Sequence, residues 1–453
     1  MGTRMEPARV RRRPMSMRLG MRFSPLLLAA GLTAAVAGCA SATAPRPAPS
    51  PVEARGVAAI EPAADPRPFG AADTAFGLDV LRAWCAQYPG KNLVFSPSTL
   101  ASALGMAYAG AHGATAAAMA SVLHLPAAGG TNLAAGLQAR ADALGALGGP
   151  GVTLAPSDEV WADPSLPPLT SYLNAVATGY RAGLAKAPFL SDQAKAADEV
   201  NAAIAAATRG HIPHLVSPGM LSDVGWVLTS ALYMNAKWAT PFDPAKTTKD
   251  DFTLANGKTV LPFYLEGKGF AYARAAGWTA VDLPYKGGKL TMTALLPPAG
   301  SASGSCALPS QAALTSLTAV LRGRGLGASS IQGAASSAEV DLPKVSLSTG
   351  GDPGDMKPVL QRLGMGVAFT AQADFTGLSK LAGNLAFVQQ AATLQVAEKG
   401  TVAAAAAAVG VTPTSAEVNP VTVRFDRPYL MLVTATSTGE PLFLAEVADP
   451  TAS

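Results

Sequence analysis

Four histidines, three cysteines and a scatter of serines are the side chains here with chemistry to offer, and their spacing offers little. His211-Ile-Pro-His214 has the separation of a ligand pair. Pro213 interrupts it, and no His-Glu-x-x-His or neighbouring Cys pair completes a metal set. His112 and His124 stand alone; all four read as loop histidines. No Gly-x-Ser-x-Gly elbow and no Ser-x-x-Lys occurs, which excludes the familiar serine-hydrolase and penicillin-binding chemistries. No Gly-x-Gly-x-x-Gly follows a strand with an acidic residue suitably placed. Trp84, Trp161, Trp226, Trp238 and Trp278 are dispersed as core residues rather than grouped as a carbohydrate platform. No catalytic residue, metal or cofactor is expected, and the chain is not expected to be an enzyme.

One stretch invites chemistry instead of performing it. Glu398–Ser415 reads EKGTVAAAAAAVGVTPTS. Thr393–Val396 before it alternates like a half-buried strand, and Val421–Phe425 after it begins another. One reading is a short alanine helix, since Ala is the best helix former. Its length is marginal for an isolated helix, and Gly400 and the flanking valines oppose it. The other reading is a strand in reserve. A segment that must enter an existing sheet needs small side chains, because interiors are close-packed. Thr401 and Ala403–Ala408 supply them, and Gly400 supplies backbone freedom for a hinge. Such a loop could be bait that is cut near its far end and then becomes a central strand.

The rest of the chain must hold that stretch. Its 453 residues are 49% hydrophobic and 14% charged, enough for one large domain. The net charge of +4 is concentrated in residues 1–38, where seven Arg meet one Glu; the remainder is near −2 and carries no nucleic-acid footprint. Residues 1–38 read as an export signal: Arg18 and Arg22 precede the apolar run Pro25–Ala37, then Val36-Ala37-Gly38-Cys39. Small residues directly before a cysteine resemble the lipobox of bacterial lipoproteins, in which Cys39 would carry the lipid. An ordinary secretory signal with an incidental Cys is the alternative. Residues 39–69 are Pro/Ala-rich without periodicity and read as an extended tether. The expected location is the cell envelope or the extracellular space. Cys85 lies on an apolar helix face and Cys306 in a Ser/Gly loop, so a disulfide between them is not expected.

From residue 70 the elements come helix-first. Phe76, Val80, Leu81, Trp84, Cys85 and Tyr88 share one helical face. Asn92–Phe95 is a short strand, and Ser96-Pro97 opens a second helix. Residues 132–147 and 169–208 are mostly helical around a strand at Ser157–Ala162. Val227–Lys237 is a strand, followed by others with turns at Asn256-Gly257 and Gly287-Gly288. Gly300–Ser337 is expected to hold a surface loop and one helix. Helices dominate early and strands late, with no βαβ period and no internal repeat, which predicts an α+β domain over 70–453.

At this point the chain resembles a serpin. Asn92–Leu104 (NLVFSPSTLASAL) followed by Gly110-Ala-His-Gly113-Ala-Thr115 resembles the family's second helix and the turn after it. Val200-Asn201, Thr208 and Gly210-His-Ile212 match in order, as do Ala231–Trp238 (ALYMNAKW), Phe242 and Thr247. Leu283-Pro284-Tyr285, Leu296-Pro297, Leu342-Pro343-Lys344, Ala373–Gly377 (ADFTG) and Arg427-Pro428-Tyr429 complete the series. Each motif is weak alone; their order and spacing are specific.

The resemblance implies three β-sheets, about nine helices and an exposed reactive-centre loop, here about 398–420. It implies a monomer that traps a target serine, or cysteine, protease as a covalent acyl-enzyme by inserting the cleaved loop into the main sheet. The intact form would be kinetically rather than thermodynamically stable. Glu398, Lys399, Gly400, Thr401, Ala403, Ala404 and Ala405 would form the hinge. The family's spacing from Glu398 puts the scissile bond at Thr414-Ser415, within a window from Val411 to Ala416. That window lacks Arg, Lys and aromatic residues, which points to elastase-like or subtilisin-like targets. A polar shutter beneath the main sheet would comprise Ser96, Thr99, Ser230 and Gln390. Ser230 stands where the family has Asn, Gln390 where it has His, and Ala445-Glu446 where it has Gly-Arg, the last reading as drift. The alternative function is a non-inhibitory surface lipoprotein of the same fold that binds or scaffolds.

Overall fold

In a computed structural model of the chain, the structure describes residues 52–126, 132–222, 224–300, 306–322, 338–349, 354–401 and 421–452. Two large sheets carry the architecture, with helices packed on both. The first sheet has seven strands in the order β1 (Val52–Ala54), β4 (Leu184–Lys186), β3 (Val152–Ala162), β5 (Trp226–Lys237), β15 (Gly400–Thr401), β14 (Val388–Ala397) and β13 (Val345–Thr349). The second runs β16 (Val421–Arg424), β12 (Ala338–Pro343), β9 (Phe263–Ala275), β10 (Trp278–Pro284), β11 (Leu290–Leu296), β17 (Tyr429–Ala435), β18 (Pro441–Val447) and β2 (Leu93–Phe95), with β6 (Thr248–Lys249) on β9. A two-stranded ribbon, β7 (Phe252–Thr253) with β8 (Thr259–Val260), is the third sheet.

Eight α-helices lie among the described residues: α1 (Arg67–Gln87), α2 (Pro97–Tyr108), α3 (Gly113–Val122), α4 (Leu133–Gly145), α5 (Thr170–Tyr180), α6 (Gln193–Ala207), α7 (Gln311–Arg322) and α8 (Lys357–Leu360). Their starts follow from local chemistry. Ser96, Asn132 and Asp192 each accept a hydrogen bond from a backbone N–H in the first turn of α2, α4 and α6. α2 is buried along nearly its whole length, because the first sheet lies on one side of it and the second on the other. Arg140 of α4 ties this layer together. It donates to Asp73 of α1 at 2.5 Å, to Glu440 at 2.9 Å, and to the Ser98 carbonyl and Ser102 hydroxyl of α2 at 2.8 Å each.

Three expectations are corrected. The segment read as a free tether is docked from residue 52 onward. β1 extends the first sheet, and the chain then crosses α5 and α4, with Asn174, Thr178 and Gln138 bonding the backbone of Val57, Ala59 and Glu61. These are side-chain bonds to main chain, which leave no hydrophobic period to read. Second, Cys85 and Cys306 form a disulfide. Third, Glu446 is no drift: it is buried against that disulfide, and its Oε1 accepts the Cys306 N–H at 2.6 Å. Burial raises its carboxyl to about 7.

Candidate functional site

The first sheet is joined unevenly. Eleven register pairs connect β3 to β5, all antiparallel. Only five connect β5 to β14, from Val388↔Leu228 to Ala392↔Leu232, and these are parallel, the slightly weaker geometry. Above Leu232 the two strands no longer pair with each other. Into that gap comes β15, antiparallel to both: Gly400↔Lys237 and Thr401↔Ala236 on one side, Val396↔Thr401 and Ala397↔Gly400 on the other. Gly400 and Thr401, two of the residues expected to form the hinge, therefore already sit at the top of the seam between the central strands.

Sequence and geometry agree on why these residues stand there. Gly400 has φ +149°, and a Cβ on it would lie 2.1 Å from the Ala236 carbonyl oxygen, so no other residue fits without displacing β5. Thr401 is fully buried, and its hydroxyl lies 2.6 Å from the Tyr285 hydroxyl. Tyr285 stacks on Trp238 at 4.5 Å. Trp238 holds the turn before the hinge through its ring N–H to the Ala397 carbonyl (2.8 Å) and its backbone N–H to Lys399 (3.1 Å). Glu398 accepts from Lys344 at 2.8 Å and from Thr247 at 3.1 Å, while its carbonyl accepts the Phe242 N–H. Burial alone would raise the Glu398 carboxyl; the hydrogen bonds from Lys344, the backbone and Thr247 outweigh it and hold the group below its ordinary value.

The four residues expected to form a shutter converge at the five-pair seam. Ser96 caps α2 and lies 3.3 Å from Ser98. Ser230 donates to Thr99 at 2.9 Å, tying β5 to α2. Gln390 stands directly opposite Ser230 across the seam and is fully buried, yet neither atom of its amide has a hydrogen-bond partner among the described residues. Ser230 and Thr99 satisfy each other hydroxyl to hydroxyl, while the Gln390 amide finds no hydroxyl among the described residues.

Sequence reasoning missed Trp238, Tyr285 and Lys344 as partners of the hinge, although all three lie in motifs already noted. It missed Asp158, which faces Ser230 from β3. His211, weighed as a ligand, stacks on Tyr233 at 4.7 Å. Cys39, Ala403, Ala404, Ala405, Thr414 and Ser415 lie outside the described residues.

Comparison with known proteins agrees with this geometry. Residues 71–450 match the profile of a family described as Serpin (serine protease inhibitor). A leukocyte elastase inhibitor of Bos taurus is 29% identical over 390 residues, covering 84% of this chain and 99% of the relative. Serpin-ZXA of Oryza sativa subsp. japonica is 32% identical over 416 residues, covering 86% and 99%. Among solved structures, thyroxine-binding globulin in complex with thyroxine superposes with a TM-score of 0.69 at 25% identity, covering 84% of this chain and 99% of that one.

Proposed function

We propose, from the premise that this chain belongs to the serpin family, that it is a suicide inhibitor of serine endopeptidases. The protease serine attacks a carbonyl in the loop beyond Thr401, and the loop strand then zips down between β5 and β14 before the acyl-enzyme can hydrolyse. The observation that carries this reading is the seating of Gly400 and Thr401 in the seam. Insertion has a start point, only five parallel pairs stand in its way, and the six alanines at 403–408 are small enough to follow. Small and β-branched residues around Thr414 favour elastase-like or subtilisin-like targets.

The chain is further proposed to be an exported lipoprotein held through Cys39. Because the protein is docked from residue 52, only residues 40–51 would separate it from the lipid, a reach of at most about 40 Å.

Incubation of the soluble domain with elastase and with subtilisin tests the inhibitory reading. An SDS-resistant complex, together with a large rise in thermal midpoint of the cleaved form, is the expected result. Clean cleavage with neither would support the second reading, a binding or scaffold protein of the same fold. Thyroxine-binding globulin, which resembles this chain and is seen with a small ligand, gives that reading its precedent.

A further inference from the structure

Beneath the first sheet, between α2, α4 and β3, lies a cavity of about 400 Å³. Asp158 of β3 lines it. In the β3–β5 register Asp158 is paired with Ser230, whose hydroxyl reaches Thr99 of α2. Asp158 thus lies beside the Ser230–Thr99 bond that ties β5 to α2, at the level where Ser230 faces Gln390 across the seam. The Asp158 Oδ1 is sealed from solvent and has no hydrogen-bond partner among the described residues.

The charges around it do not neutralise it. α4 offers Arg140, but that guanidinium is engaged by Asp73 of α1 and Glu440. The end of α5 brings Tyr180 and Arg181, the latter paired with Asp142. Arg55 lines the wall from the docked N-terminal segment, and Glu159 on β3 adds repulsion. α2 contributes Ser98, Thr99 and Ser102, β5 contributes Ser230, and β14 contributes Gln390; none of these carries charge. Burial pushes the Asp158 carboxyl well above its ordinary value, opposed by Arg140 and the Ser230 hydroxyl.

We propose that Asp158 is a positioning residue for sheet opening: as a neutral acid it is accommodated in its sealed site beside the Ser230–Thr99 bond and the seam stays shut, and as a carboxylate, sealed in with one oxygen unpartnered, it favours the open seam. The inference rests on the reading above, in that a seam must part for a loop to insert. The sign follows from linkage. A carboxyl whose pKa is raised in the closed form binds its proton more tightly there than when the structure opens. Its contribution therefore favours the closed form at low pH and is lost as pH rises from the ordinary carboxyl range through the raised value. The proton leaves through the cavity to solvent.

Hydrogen exchange read by mass spectrometry on the intact chain tests this without any protease. Exchange at residues 228–232 and 388–392, corrected for the chemical rate, is compared at about pH 5 and about pH 8. The wild type is expected to open about tenfold more readily at the higher pH, equivalent to one unit of pKa shift. Asp158→Asn is expected to remain slow at both. Equal pH slopes in the two proteins overturn the proposal. Should that variant not fold, Asp158→Ser, equally neutral and smaller, takes its place: loss of the wild-type pH slope supports the proposal, and a slope equal to the wild type's overturns it. A protein that traps protease with a pH-independent seam refutes Asp158 gating alone. A titrating seam in a chain that traps nothing refutes the inhibitor reading alone.

Discussion

The hydroxyls of Thr401 and Tyr285 meet at 2.6 Å in a fully buried contact. It joins the first residue of the reserve strand to a residue 116 positions earlier that is itself stacked on Trp238. The hinge is therefore fastened into the sheet by side chains, beyond its own ladder bonds. Tyr285→Phe leaves the ring stack intact and strands the Thr401 hydroxyl. The expected loss is about 1–3 kcal/mol of unfolding free energy, the cost of a buried polar group without a partner. Urea unfolding of the two proteins checks it; an unchanged midpoint at equal slope refutes the fastening.

Gly400→Ala tests how tightly the seam grips. The added methyl group would lie 2.1 Å from the Ala236 carbonyl oxygen and 2.7 Å from the Lys237 Cα, both backbone atoms that cannot swing aside. Backbone strain at φ +149° adds about 1–3 kcal/mol. Expulsion of β15 is expected, with the rest of the fold kept. The readout is limited proteolysis: new cleavage between residues 397 and 402 at unchanged far-ultraviolet dichroism. A cleavage pattern like the wild type's would mean that the sheet yields to a methyl group.

Thr401→Arg places a charge where the native side chain has no exposure. A buried unpaired guanidinium is costly enough to expel β15 from the seam, which removes the start point for insertion. The protease should then hydrolyse the acyl-enzyme before it is trapped, turning inhibitor into substrate. The ratio of hydrolysed to trapped protein is expected to rise at least about tenfold, the effect of roughly 1.4 kcal/mol on the partition, and the stoichiometry of inhibition with it. A ratio equal to the wild type's would show that trapping does not need this position seated in the sheet.

How much of this could be read beforehand depends on the range of the interaction. The hinge was legible because Glu398-Lys399-Gly400-Thr401 and the alanines after it are contiguous and their sizes carry the meaning. Its clamp was not, since Trp238, Tyr285 and Lys344 reach it only through the fold. The sequence reading placed this strand only over Ser157–Ala162, the part that follows Pro156. In the structure β3 begins at Val152; β4 pairs with it only from Val160 to Ala162, so Pro156 lies along an open edge where no donor is required. Burial in the same stretch gives Asp158 its interest, and local sequence does not show it. The family resemblance supplied the sheet plan, while the docked segment from residue 52 and the disulfide belong to this chain's own tertiary contacts.

Glu398 predicts an acid-sensitive hinge. Its carboxyl is held below the ordinary value by Lys344 and its other donors. For an acid whose folded pKa is depressed, the stabilising contribution is present above the unfolded pKa and is lost as pH falls through the folded one. Loosening of the hinge is therefore expected only below the ordinary carboxyl range, the opposite direction from Asp158. Lys344→Met should loosen the hinge already at neutral pH and weaken the acid step. Exchange of the Lys399 and Gly400 amides across pH measures both; an acid step unchanged by Lys344→Met would assign it to another group.

The bond between Cys85 and Cys306 closes 221 residues of sequence, so its loss should cost stability through the unfolded chain. Typical disulfides of such span contribute about 2–5 kcal/mol. Removal also unseats Glu446, whose buried carboxylate depends on the Cys306 N–H. Cys306→Ser and reductant on the wild type should lower the unfolding free energy by similar amounts, and reductant should do nothing further to the variant. If reductant leaves the wild type unaffected while the variant is weakened, the loss belongs to packing around Glu446 and not to the cross-link.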